Sequence, residues 1–309
     1  MEYYPSKILL FGEYTILWGS NALAIPFDRF RGEWAFMEQS ADNSYSFADK
    51  SNKNLKKFLD YLKRPDTAKN LSHFPDTSLF ETDLKKGLYF KSDIPESSGF
   101  GGSGALVATV LKRYDTAGTG EIENAGIRKS LARLESYFHG TSSGIDPLVS
   151  YSGLPVFAKG YGKAILADIS VSEVTAKYGL FIVQGNRLGS TEYLVKKFRM
   201  LGRNDQNYIK QIRKEYIPFN NKCVDDILNR KTFTTLFSNL RSLIPLQKSF
   251  FSGMIGEQMI PIMEYGIRHN LFGLKLCGSG GGGYMLGFTE KPERTQKFFQ
   301  DKQYGVLFC

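Results

Sequence analysis

Apolar residues fall in short runs along this chain, and glycine or proline bounds most of them. Residues 6–11 (SKILLF) form a continuous apolar run of strand length, and LAIPF at 23–27 forms a second. Stretches 31–38 and 45–49 alternate apolar with polar and predict a hairpin. Residues 53–64 (KNLKKFLDYLKR) place Leu55, Phe58, Leu59 and Leu62 at helical spacing, which predicts an amphipathic helix with a solvated basic face. The rest of 43–83 is polar and irregular. A strand is predicted over 87–93, a buried helix over 105–111 and another helix over 121–139. Short strands are predicted at 156–158, 164–169 and 179–184, and helices at 190–201 and 249–269. Residues 274–288 read as strand, glycine turn, strand. A helix at 292–301 and a last strand, GVLF, follow. Strands and helices mix without a steady βαβα alternation, so the pattern predicts an α+β fold in two lobes. A change of composition near residue 170 puts the boundary there, giving 1–170 and 171–309.

Composition adds few constraints. The 309 residues suffice for a sizeable core, and 42% are hydrophobic, which excludes wholesale disorder. The net charge of +9, from 40 Lys+Arg against 31 Asp+Glu, favours anionic ligands. The cations are scattered and no nucleic-acid motif accompanies them. Cys223, Cys277 and Cys309 include no CxxC pair, against a zinc site or a disulfide framework. There is no signal-peptide pattern and no apolar run of about 18 residues. A cytoplasmic protein without membrane or nucleic-acid partners is the expectation.

Three glycine-rich stretches carry the candidate chemistry. The first, PESSGFGGSGALVATVL at 95–111, follows a strand that Pro95 closes and precedes a helix. Glycines let backbone N–H groups approach an anion, and a helix N-terminus adds partial positive charge. The stretch is an anion cradle or a flexible turn capping a core helix. Gly99 to Gly104 match G-x-G-x-x-G, the dinucleotide fingerprint. The dinucleotide motif wants its glycines directly after a strand and an acid about 20 residues on, at the end of a second parallel strand; here Pro95 to Ser98 intervene, and DTAGTGEIENAG after the helix does not read as such a strand. The Walker P-loop and the protein-kinase motif set are absent as well. The second stretch is HGTSSGIDP at 139–147. Asp146 there is either held rigidly beside a ligand or is a helix cap. The third is CGSGGGG at 277–283, richer in glycine than a hairpin needs, which points to close approach by a ligand or another backbone.

Together with PSKILLFGEY at 5–14, these stretches resemble the GHMP kinase superfamily of small-molecule kinases. PSKILLFGEY resembles its N-terminal motif, PESSGFGGSGA its phosphate loop P-x-x-x-G-L-G-S-S-A, and KLCGSGGGGY its C-terminal motif K-x-x-G-A-G-G-G-G-C. LESYFHGTSSGID looks most like the mevalonate kinase branch, whose pattern is E-x-x-x-H-G-x-P-S-G-x-D.

The resemblance implies a ribosomal protein S5 domain 2-like N-terminal ATP-binding lobe and a ferredoxin-like C-terminal lobe. It implies transfer of the ATP γ-phosphate, with Mg²⁺, to a small-molecule alcohol, with mevalonate and isoprenoid precursor synthesis as the first expectation. Phosphomevalonate or a sugar is the alternative within the class. A nucleotide- or metabolite-binding member without turnover is the alternative outside it. The resemblance leaves room for a homodimer.

The roles it implies fall residue by residue. Asp146 takes the hydroxyl proton and Lys7 stands beside it. Ser103 and Glu135 share Mg²⁺. Pro95, Ser97, Ser98, Gly99, Gly101, Gly102, Ser103 and Gly104 hold the ATP phosphates. Glu13, Tyr14, His139, Ser143, Thr191, Gly280 and Gly281 line the acceptor, and Ser190 lies near the centre. Trp18, Tyr137 and Phe138 are core or pocket wall.

Singly, Lys7 reads as a surface lysine, Glu135 as a solvated helix residue and Ser103 as a cap. The sequence also departs from the pattern. Gly102 stands where the phosphate loop usually has serine, Gly104 where it has alanine, and Ser142 where HGxPSG has proline. Tyr14 stands where mevalonate kinases carry histidine, as in phosphomevalonate kinases.

Overall fold

A computed structural model describes residues 3–37, 45–96, 98–118, 125–160, 162, 164–185, 191–278, 280 and 283–309. The chain divides into two compact units, neither continuous in sequence. The first comprises residues 1–7, 26–95 and 101–154, and the second 8–25, 96–100 and 155–309. The expected boundary near residue 170 therefore falls inside the second unit.

Strands β1 (Tyr3–Phe11) and β2 (Ala22–Phe36) begin in one unit and end in the other. The first unit adds α1 (Tyr45–Leu62), α2 (Thr77–Lys85), β3 (Leu88–Ser92), α3 (Gly102–Tyr114), α4 (Ala125–His139) and α5 (Ile145–Ser152). Its part of β2 pairs antiparallel with β3, from Gly32 opposite Ser92 to Phe36 opposite Leu88. This pairing replaces the hairpin expected over 31–38 and 45–49. The second half of that hairpin is the start of α1, whose apolar stripe of Leu55, Phe58, Leu59 and Leu62 is fully buried. Helix α2 lies in the stretch expected to be irregular. Asp76 starts it, accepting N–H bonds from Ser78 and Leu79 at 2.9 and 3.0 Å.

The core of the first unit is built on α3. Ala105, Val107, Ala108, Val110 and Leu111 are buried, with Ile127, Leu131 and Leu134 of α4 and Leu148 and Val149 of α5. Small residues let α3 and α5 approach closely. A Cβ on Gly104 would lie 2.9 Å from the Pro147 nitrogen and 3.0 Å from the Asp146 carbonyl carbon.

The second unit adds β4 (Val156–Ala158), β5 (Ala164–Leu166), α6 (Val171–Tyr178), β6 (Phe181–Gln184), α7 (Thr191–Asn204), α8 (Gln206–Gln211), α9 (Ile217–Leu228), α10 (Phe233–Phe250), α11 (Met259–Arg268), β7 (Gly273–Leu276), β8 (Tyr284–Phe288), α12 (Pro292–Asp301) and β9 (Val306–Phe308). Its sheet runs β7-β8-β6-β9 and is antiparallel throughout. Ala22 to Ala24 of β2 pair with β4, and β4 with β5. The single helix expected over 249–269 is instead the end of α10, a 3₁₀ turn at Ser252–Met254, and α11. Gly253 and Gly256 fall in that break, where glycine disfavours helix. Cys223 and Cys277 are buried and Cys309 is exposed, all as free thiols. Among the described residues no helix is long and apolar enough to cross a membrane.

Candidate active site

The candidate chemistry of the first unit gathers where β1, α3, α4 and α5 meet. Lys7 lies on β1 and is 1% exposed, so it is not a surface lysine. Its stem runs over Gly101, where a Cβ would lie 2.8 Å from the lysine Cγ. Its Nζ reaches Asp146 Oδ2 at 2.8 Å, with the Asp146 side chain about a third exposed. Asp146 is not a cap: Gly144, at φ 75°, caps α5, and Asp146 stands in the first turn, where the helix dipole favours its charge. The pair is thus a buried cation fixing a carboxylate that still faces outward.

Glu135 of α4 is buried, contrary to a solvated reading. Its carboxylate accepts from Ser103 Oγ at 3.1 Å through Oε1 and from Ser142 Oγ through Oε2. Burial, and then repulsion from Asp146, push its acid up to about 7, against the opposing pull of the two hydroxyls and Lys7. His139 Nε2 lies 2.9 Å from Ser103 Oγ. Ser103 is no cap either, since Gly101 holds the N-cap of α3 without a side-chain bond. Two carboxylates, one hydroxyl and a single lysine make an oxygen-rich, net negative donor set. Among the described residues no three His, Cys, Asp or Glu side chains are grouped to hold a metal by themselves. By its oxygen donors the set fits Mg²⁺, a hard cation that takes one or two carboxylates and keeps other positions for phosphate and water.

Gly101 has φ 77°, and α3 starts immediately after it. The first-turn N–H groups of a helix have no partner within the helix, so they offer donors to an anion. This supports the cradle reading of the 95–104 loop.

In the second unit, the start of the first glycine-rich stretch meets the third. Gly99, at φ 83°, lies against the 277–278 backbone: a Cβ on Gly99 would be 2.7 Å from the Cys277 carbonyl oxygen. A Cβ on Gly278 would be 2.9 Å from the Gly99 oxygen. The ring of Phe100 lies 5.0 Å from that of Tyr284. The excess glycine of 277–283 is thus explained in part by backbone contact.

The turn after β1 is held from several sides. Lys275 forms a buried ion pair with Glu13, donates to the Leu276 carbonyl at 2.8 Å, and sits 5.3 Å above the Phe11 ring. Asn220 accepts from Gly12 N at 3.0 Å and donates to the Asn21 carbonyl at 2.9 Å. Tyr14 takes φ 59°, a strained value for a bulky residue. Its ring packs 4.6 Å from Phe198 and 5.9 Å from Phe251. Burial, and then the charge of Glu13, push its phenol well above the ordinary tyrosine range.

Residues 60–153 match the family model "GHMP kinases N terminal domain". The mevalonate kinase of Pyrococcus abyssi is 24% identical over 303 residues, covering 94% of this chain and 88% of that protein. The crystal structure of the Methanococcus jannaschii mevalonate kinase superposes with a TM-score of 0.64 at 18% identity, covering 99% of this chain and 96% of the other. The Streptococcus pneumoniae phosphomevalonate kinase, solved with phosphomevalonate and AMPPNP, gives a TM-score of 0.60 at 14% identity, covering 99% and 98%. Residues 60–153 thus carry a GHMP kinase N-terminal domain, and over its length the chain is similar to mevalonate kinases. Its α+β fold is the fold of those solved kinases.

Among the remaining residues that the GHMP resemblance singled out, Ser98 is buried and its Oγ accepts the Phe100 N–H at 3.2 Å. Pro95 ends a segment of the first unit. Ser143 offers its carbonyl to Arg128 Nε at 3.0 Å. Thr191 begins α7, and Gly280 takes φ 72°. Ser97, Ser190, Gly281 and the Thr191 side chain lie outside the described residues. Tyr137 and Phe138 join Phe58 in an aromatic cluster, and Trp18 stacks on Phe198 at 4.2 Å. Sequence reasoning assigned no role to Lys275, Asn220 or Ser142. Lys275 was visible as the K of its motif, and Ser142 as a departure from proline.

The two glycine departures in the phosphate loop differ physically. A Cβ at Gly102 would meet the Ile94 side chain at 3.5 Å or more, which is ordinary contact, whereas one at Gly104 would press on the backbone of α5. Gly102→Ser should therefore leave stability within about 0.5 kcal/mol of wild type, while Gly104→Ala should cost about 1–3 kcal/mol. Urea unfolding of both variants checks this, and equal losses would contradict it.

Proposed function

We propose that this chain is an ATP- and Mg²⁺-dependent kinase whose acceptor is the hydroxyl of mevalonate, with 1–170 as the ATP-binding domain and 171–309 as the C-terminal domain. The observation that carries the reading is the Lys7–Asp146 pair at 2.8 Å, in the same unit as the Ser103–Glu135 contact and the start of α3. In this reading Asp146 Oδ accepts the proton of the acceptor hydroxyl. Lys7 holds that carboxylate in place and offsets negative charge developing on the attacking oxygen. N–H groups of the first turn of α3 and of the preceding glycines hold the ATP phosphates. Ser103 and Glu135 hold Mg²⁺, which supplies charge neutralisation on the phosphates when bound. Catalysis then rests on positioning an in-line displacement rather than on covalent chemistry. Glu13, Tyr14, His139, Ser143, Thr191, Gly280 and Gly281 stand as the acceptor-side set.

One observation favours phosphomevalonate as a second reading. Tyr14 replaces the histidine of mevalonate kinases, and its ring is committed to Phe198 and Phe251. An ADP-release assay with ATP, Mg²⁺ and separate mevalonate, phosphomevalonate, galactose and homoserine decides between them. Fastest release is expected with mevalonate. Release with phosphomevalonate alone would move the assignment to the second reading, and release with none would remove the kinase proposal.

A further inference from the structure

We propose that Ser142 is a positioning residue for the metal-binding carboxylate, standing where the family pattern carries proline. The inference rests on the kinase reading above and adds a residue to its machinery.

The argument is one of hydrogen-bond direction. Ser142 Oγ accepts the Gly144 N–H at 2.9 Å, and its own proton goes to Glu135 Oε2. On the other side Ser103 donates its only proton to Glu135 Oε1 at 3.1 Å. His139 Nε2, 2.9 Å from Ser103 Oγ, must then be the protonated ring nitrogen and donate to the serine. Every bond in the chain Gly144, Ser142, Glu135, Ser103, His139 thus points its donor toward the Glu135 carboxylate. Such aligned bonds polarise one another in a buried setting.

Glu135 needs that help. Its carboxylate is buried, and the hydroxyls of Ser103 and Ser142 donate to its two oxygens, one to each. A proline at position 142 would supply neither the hydroxyl donor nor the hydroxyl acceptor. Ser142 also ties the carboxylate to Gly144, the cap of α5, two residues before Asp146. One side chain therefore couples the orientation of Glu135 to the helix that presents the proposed base. The hydroxyl lone pair that Ser103 keeps after accepting from His139 is its remaining donor for a cation.

The test is calorimetric and does not read turnover. Binding of AMPPNP, a non-hydrolysable ATP analogue, is measured with Mg²⁺ and with EDTA, for wild type, Ser142→Ala and Ser142→Thr. Thermal melts confirm that each variant is folded. Outer-shell partners of metal ligands are worth about 10–100-fold in metal affinity. Ser142→Ala should therefore weaken binding with Mg²⁺ by about 10-fold while leaving binding in EDTA unchanged. Ser142→Thr, which keeps the hydroxyl, should bind as wild type does. Equal weakening with and without Mg²⁺, or none, would overturn the role given to Ser142. If wild-type binding does not depend on Mg²⁺ at all, the underlying kinase reading falls first and the proposal falls with it.

Discussion

Asp146→Asn should lower kcat by about 10²–10⁴-fold, the range that a positioned general base supplies, while leaving nucleotide affinity near wild type. The amide keeps the shape and can still accept a hydrogen bond from Lys7, but it cannot take a proton from an acceptor hydroxyl. The substitution thus separates chemistry from architecture. Lys7 is 1% exposed and pairs with Asp146 at 2.8 Å, so Asp146→Ala, which removes that acceptor from beside a buried cation, would confound the two. ADP release under saturating substrate, calorimetric AMPPNP affinity and a thermal melt together read the result. Near-normal kcat in Asp146→Asn would sink the base assignment. A collapse of Tm with kcat largely kept would make the pair structural instead.

The sequence disclosed the elements that have a sharp local signature. The buried strand within β1, the glycine-bounded α3 and the β7–β8 pair were legible because an apolar run meets a glycine in each, and α12 because Pro292 marks its start. The hairpin over 31–49 failed because a five-residue window cannot distinguish alternation from the first turn of a helix. The stripe that decides, Leu55 to Leu62, lies farther along the same helix. Helix α2 was missed because Phe80 and Leu84 are its only buried residues, too few to outweigh its polar content. The 249–269 error arose from bridging two helices across Gly253 and Gly256.

The site was legible as motifs but not as contacts. Taken singly, Lys7, Glu135 and Ser103 looked like surface or capping residues, because burial is a property of the tertiary fold. Lys7 is buried because β1 is covered on both faces, and Glu135 because α4 turns that face inward. The links Ser142–Glu135 and Ser103–His139 depend on how α3, α4 and the 140–144 loop meet. No spacing rule encodes them.

The ion pair between Glu13 and Lys275 carries the largest expected effect on stability. Both residues are almost completely buried, and 261 intervening positions separate Glu13 from Lys275 in the sequence. Lys275→Met keeps most of the stem volume on Phe11 but removes the cation. Breaking a buried pair from one side costs about 3–5 kcal/mol, because the remaining charge is left in a poor solvent. Without the cation, burial disfavours the Glu13 carboxylate, so its folded pKa in the variant rises above its unfolded value of about 4.3. The sign follows from linkage. Such a group contributes stability below the unfolded pKa and loses it as pH rises toward the raised folded pKa. The deficit of Lys275→Met against wild type should therefore be wider at pH 8 than at pH 5, as read by urea unfolding at both. The double variant Glu13→Gln with Lys275→Met removes both charges and should recover part of the loss, giving a coupling energy from the double-mutant cycle. A deficit that is small and independent of pH would show that the pair fixes the geometry of the Gly12–Tyr14 turn without supporting the fold. The variant should then fail in acceptor KM rather than in stability.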